Sequence, residues 1–214
     1  MKSSKFEGPV NAIIFNLSLM EYNGVKTFYA ESKIAWRNWL IEHHQAESKL
    51  WLIIYKKGSG IQSITYDQAV DEALCFGWVD SSINKRDDES FYQYFAKRNP
   101  KSNWSSVNKL KVEKLISEDL MSEAGLKMID LAKQTGTWTA LDEVENLISP
   151  PDLQKAFDQN PLAQKYFDLF PRSVKRGILE WLMNAKQSQT RQNRITEIVS
   201  KAEQNERVNQ FVKK

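Results

Sequence analysis

TYDQAVDEALCFGWVDSSINKRDDESFYQYFAKRNPKSNW, residues 65–104, is the stretch whose reading decides the fold. Thr65 can accept from the first helical N–H groups, and Gln68, three residues on, can bond back to it, which makes a capping box. Ala69, Val70, Ala73 and Leu74 then recur at helical spacing and predict a helix with one apolar face. Gly77 suits the left-handed residue that closes such a helix. Trp78-Val79-Asp80-Ser81-Ser82 reads as entry into a strand, and Asn84–Ser90 is polar and turn-rich. Phe91-Tyr92-Gln93-Tyr94-Phe95 reads as a second strand with aromatics on both faces. A helix, a strand and an aromatic strand set so close together make this stretch the candidate site.

Upstream, Val25–Ala30 reads as a strand. Ser32 can cap a helix on which Trp36, Trp39, Leu40 and His43 fall at i, i+3, i+4 and i+7. Leu50–Tyr55 is an apolar run of strand length, ended by Lys56-Lys57-Gly58-Ser59-Gly60. The order strand–helix–strand–helix–strand–strand predicts an α+β layer, a small sheet with helices packed on it. From Ser105 the pattern is helical, with a stripe of Val112, Leu115 and Ile116. Ser122 can cap a helix carrying Leu126, Ile129 and Ala132, which Gly136 closes. Thr137–Ser149 is the linker candidate. Pro150-Pro151 and Asn160-Pro161 each open a helix, proline being tolerated in the first turn. Val174, Ile178, Trp181, Leu182 and Ala185 mark a further helix, and Ile195, Ile198, Val199 and Ala202 the last. This predicts an α+β domain over 1–140 and an all-helical bundle over 149–214. Residues 1–24 form an extension in which Val10–Leu19 could be a strand.

With 41% hydrophobic residues among 214 the chain can build a real core. The single Cys75 excludes an internal disulfide and fits a reducing compartment. Lys2 and Lys5 are not followed by an apolar run of signal-peptide length. No stretch reaches the ~20 apolar residues of a membrane helix. The chain is therefore expected to be cytoplasmic and without a membrane span. Net charge is +3, unevenly placed: residues 149–214 hold 12 Lys and Arg against 7 Asp and Glu, the rest 18 against 20. A basic tail permits weak polyanion binding but falls short of a dedicated nucleic-acid footprint.

Candidate chemistry is sparse. Cys75 lies near a helix C-terminus, where the macrodipole disfavours a thiolate, so a buried structural thiol is expected. His43 and His44 are adjacent and cannot share a metal from one helix face, and no second Cys completes a zinc site. Gly58-Ser59-Gly60 lacks the lysine of a phosphate loop and reads as a turn. No metal and no cofactor is expected. Asp80, beside Trp78 at a strand opening, needs a partner if it faces inward, with Lys85, Lys97 and Arg98 the basic residues nearby. It is read as a structural carboxylate, against the alternative of a ligand-binding one in an aromatic-walled pocket. Phe91–Phe95 with Lys97 and Arg98 could hold single strands; the expectation is that Phe91 and Phe95 fill the core while Tyr92 and Tyr94 face outward.

EALCFGWVDS (72–81) and FAKRNPKSNWS (95–105), with TFYAESKIAWRNWLIEHH (27–44) and LWLIIYKK (50–57) upstream and the helical tail from Pro150 to Ala202, resemble the YdeI/OmpD-associated (OmdA) family of bacteriocin-protection proteins. The resemblance spans roughly Lys26–Ala202. It implies a role in resistance to antimicrobial peptides and supplies no reaction or catalytic residues. The resulting expectation is a protein that leans away from enzymology and binds a small molecule or protein partner around Trp78, Asp80, Tyr94, Arg98 and Trp104. Two alternatives stand beside it. One is a nucleic-acid-binding module using strand 91–95 and the basic C-terminal helices; the other is an enzyme with a pocket carboxylate at Asp80.

Overall fold

A computed structural model describes residues 20–208, so the expected strand at Val10–Leu19 lies outside the described residues. Five strands form one sheet in the order β1-β2-β3-β5-β4. β1 (Glu21–Tyr22) and β2 (Val25–Tyr29) make a hairpin whose turn, Asn23-Gly24, has positive φ at both residues, 52° and 68°. Asn-Gly is the pair that tolerates this conformation best. α1 (Lys33–His43), capped by Ser32, carries the chain from β2 to β3 (Lys49–Tyr55), which pairs parallel to β2. A parallel neighbour needs such a crossover. After α2 (Tyr66–Cys75), β4 (Trp78–Lys85) and β5 (Ser90–Lys97) form an antiparallel hairpin, and β5 returns to pair antiparallel with β3.

β3 is therefore central, which explains why Leu50, Trp51, Leu52, Ile53 and Ile54 are all buried rather than alternating. Its register with β5 sorts the two faces. Leu50 sits opposite Phe95 and Leu52 opposite Gln93 on the face covered by α1 and α2. There the Trp36 ring lies 5.5 Å from Phe95, and Trp36 Nε1 donates to the Ala69 carbonyl at 3.1 Å. Trp51 opposes Tyr94, and Ile53 opposes Tyr92, on the other face. The capping box of Thr65 and Gln68 forms at the start of α2, and Gly77, with φ 71°, lets the chain reverse into β4.

Two more helices complete this first unit, α3 (Ser106–Ser117) from Val107 on and α4 (Glu123–Thr135). α4 starts against the end of α2. Ser122 donates to the Cys75 carbonyl through both its amide (3.0 Å) and its hydroxyl (2.6 Å). A Cβ on Gly125 would lie 2.3 Å from that carbonyl oxygen, so only glycine allows this approach.

The second unit comprises 103–106 and the described residues from Thr137 onwards. Thr137–Ser149, the stretch expected as a linker, holds a short helix, α5 (Asp142–Glu145), and contributes buried Leu141 and Val144 to that unit's core. α6 (Pro151–Asp158), α7 (Pro161–Leu169), α8 (Arg172–Met183) and α9 (Ser188–Glu203) supply the rest. Leu153, Phe157, Phe167, Ile178, Leu182 and Ile198 fill the centre. Arg191 grips Asp152 through both carboxylate oxygens, at 2.5 and 2.8 Å, and ties α9 to α6. No strand occurs after Pro150 among the described residues. The architecture is the α+β layer followed by a helical region that the apolar patterning predicts.

Candidate functional site

The end of α1, the start of β4 and the end of β5 meet at one edge of the first unit. The Lys97 amide donates to the Ser48 carbonyl at 3.0 Å and the Arg98 amide to the Gly77 carbonyl at 2.9 Å. Trp78 Nε1 reaches the His44 carbonyl at 3.4 Å. α4 closes the opposite wall. Together these elements leave an open groove of about 580 Å³ with Phe76, Gly77, Trp78 and Pro100 on one side and Ala124 and Met128 on the other. A Cβ on Gly77 would lie 3.3 Å from the Ala124 carbonyl, so glycine both turns the chain and lets α4 approach it closely.

The polar lining is His44, Gln45, Lys97 and Arg98, two cations and no carboxylate. Lys97 is exposed, and its ammonium donates to the Gln45 carbonyl at 2.7 Å. Arg98 is buried; burial brings its guanidinium down to about 10, which leaves it charged at neutral pH. His44 packs its ring against Phe76 at 5.1 Å and bonds through Nδ1 to the Leu40 carbonyl. The groove thus combines an apolar wall with positive charge, an arrangement that can hold an amphipathic anion.

Of the five residues expected to form a site, Trp78 and Arg98 line this groove. Asp80 shares the Trp78 face of β4 two residues further on, is half-buried, and accepts from the Tyr66 hydroxyl at 2.7 Å. Its bonded partner is that phenol, where Lys85, Lys97 and Arg98 were the candidates nearby in sequence. Burial first, and then the Asp80 carboxylate, pushes the Tyr66 hydroxyl up to about 12. Tyr94 points to the opposite face of the sheet, where its ring meets Trp51 edge-on at 4.8 Å. Trp104 belongs to the second unit, with Trp138 5.1 Å away. Within the first unit, Trp78 and Arg98 share the groove, Asp80 lies two residues along β4 from Trp78, and Tyr94 turns to the opposite face.

Tyr92 stacks on Tyr22 at 4.2 Å, on the same face as Tyr94. Phe95 and Lys97 face the other way by strand alternation. The aromatic strand therefore divides its rings and its cations between two faces. Cys75 is fully buried, and burial, with the Glu72 carboxylate second, pushes its thiol up to about 11. A thiol held neutral is no nucleophile near pH 7.

The residue that sequence reasoning passed over is Glu72. It is wholly buried, with Arg37 Nη1 2.7 Å from one carboxylate oxygen and Lys33 Nζ 3.1 Å from the other. Arg37 also donates to the Leu120 carbonyl at 2.8 Å and lies over the Phe76 ring at 5.5 Å. This knot fastens α1 to α2 and to the segment leading into α4, directly behind the groove's Phe76 wall. A signal was present: Glu72 follows Ala69 by three and precedes Ala73, so it sits on the helix's apolar face. Lys33 and Arg37 are spaced i, i+4 on α1. Among the described residues no group of three metal-binding side chains is gathered, and no helix is long and apolar enough to cross a membrane.

Residues 146–205 match the family described as "Bacteriocin-protection, YdeI or OmpD-Associated" (OmdA), and residues 28–128 match a domain of unknown function, DUF8412. The OmdA match falls on the second unit and the DUF8412 match, apart from residues 103–106, on the first, where the groove lies. No curated protein and no solved structure matches the chain.

Proposed function

We propose that this chain, which carries the OmdA segment at residues 146–205, protects a bacterial cell against bacteriocins by binding, with the groove of the first unit as its binding site. The observation that carries the reading is the groove itself: an apolar lining of Phe76, Trp78 and Met128 bordered by Lys97 and Arg98. Sites for organic ligands have this composition, mostly apolar with a few placed polar groups. The chemistry of the surroundings favours binding over bond-making. The Cys75 thiol is buried and neutral, and the Asp80 carboxylate is engaged by Tyr66. The nucleic-acid alternative is weakened because Tyr92 and Tyr94 lie on the face of β5 opposite Lys97. The reading keeps the protein in the cytoplasm.

The test is survival of a bacteriocin-sensitive strain expressing the wild type or Lys97→Glu at matched soluble levels. Lys97 is exposed, so the charge reversal costs the fold little beyond its bond to the Gln45 carbonyl, and matched soluble levels control for that loss. Wild type should raise survival against at least one bacteriocin of a panel and Lys97→Glu should lose the gain. Equal protection by both proteins would remove the groove from the function, and no protection by either would remove the function.

A further inference from the structure

The groove's charge and shape say more about its occupant. We infer that it binds the free C-terminus of a peptide, with the terminal α-carboxylate on Lys97 and an apolar last side chain against Phe76, Trp78 and Met128; this rests on the groove being the binding site. An ammonium has three N–H donors. Lys97 uses one on the Gln45 carbonyl, which anchors it at the groove's edge and leaves two for a ligand. A carboxylate accepts from an ammonium in charge-assisted bonds, each about twice as strong as a neutral one. No acidic residue lines the groove to compete for Lys97. A peptide amide or a cationic side chain would gain nothing from that field.

The apolar wall sets the second requirement. Trp78 and Phe76 are rigid and buried, whereas Met128 on α4 is half-buried and adaptable, so the wall suits a bulky side chain without selecting one shape. At about 580 Å³ and open to solvent, the groove is larger than one terminal residue needs and leaves room for the residues that precede it. This favours a peptide end over a small free acid.

The test is fluorescence anisotropy on the full chain with labelled pentapeptides of one sequence ending in phenylalanine, one as the free acid and one as the C-terminal amide. Unlabelled N-acetylphenylalanine serves as competitor. The acid should bind about tenfold or more tightly than the amide, and Lys97→Ala should erase that difference while Lys97→Arg retains most of it. The gap should narrow as salt is raised, because Lys97 is exposed. Equal binding of acid and amide would overturn carboxylate recognition. N-acetylphenylalanine matching the peptide in affinity would overturn the peptide and make the occupant a small acid. No binding of any probe would overturn the inference altogether. The survival assay fails independently: protection without carboxylate binding leaves the function and sinks only this inference, whereas binding without protection does the reverse.

Discussion

Replacing Glu72 by glutamine keeps the shape of the side chain and deletes the charge that α1 closes upon. The wild-type carboxylate has no exposure, and its two oxygens meet Arg37 at 2.7 Å and Lys33 at 3.1 Å. Breaking a buried ion pair by removing one partner costs about 3–5 kcal/mol when the other charge stays buried. Here the cations are 30% and 42% exposed and can turn towards water, which cuts that figure. The remainder is the loss of one strong charged hydrogen bond and one ionic contact, about 2 kcal/mol. Urea denaturation of wild type and variant gives the difference, with hydrogen exchange over 66–75 confirming that the loss is local to α2, since two units need not unfold together. In a cycle with Arg37→Met, the two substitutions should couple by about 1 kcal/mol or more because their side chains touch. A Glu72→Gln variant within about 0.5 kcal/mol of wild type, the range of an inert surface change, would refute the claim that this knot holds the helices.

Gly125→Ala should destabilise by about 1–3 kcal/mol, because its Cβ would meet the Cys75 carbonyl at 2.3 Å and backbone cannot yield cheaply. Gly58→Ala, with nothing within 4 Å, is the neutral control in the same urea series. Cys75 should be alkylated slowly in the native protein at pH 8 and normally after unfolding. Because the folded chain holds that proton more tightly, stability should also fall as pH rises from about 9 towards 11; rapid native labelling would contradict the burial. Asp80→Asn keeps an acceptor for the Tyr66 hydroxyl, so stability should drop by under about 1 kcal/mol, while ultraviolet titration should show Tyr66 ionising below its wild-type value of about 12. An unmoved Tyr66 titration would mean that the bond does not persist in solution.

The elements were legible because each is announced locally. Thr65 with Gln68, Ser122 with Gly136, and Asn160-Pro161 are caps read directly from residue type, and each forms where expected. Continuous burial of Leu50–Ile54 follows from an apolar run without alternation. What local pattern could not supply was pairing. That β3 lies between β2 and β5, parallel to one and antiparallel to the other, depends on contacts between segments far apart in the chain. Asn23-Gly24 was a readable hairpin signal that the strand assignment at Val25 overlooked.

The site was less legible for a related reason. Residues 78–98 are close in sequence, but the strand period of two sends Tyr94 to the face opposite Phe95. Proximity along the chain therefore overstated how many of these side chains could converge. The groove that does form needs a wall from α4, whose approach depends on Gly125 and on Ser122 reaching the Cys75 carbonyl. Those contacts link EALCFGW to a segment with no aromatic residue of its own, so composition does not mark it as part of a site. The same contacts explain why the buried knot at Glu72 matters beyond stability: it fixes Phe76 from behind while α4 fixes Gly77 from in front. A substitution in the knot should therefore move the groove's apolar wall while leaving Lys97, at the end of β5, where it is.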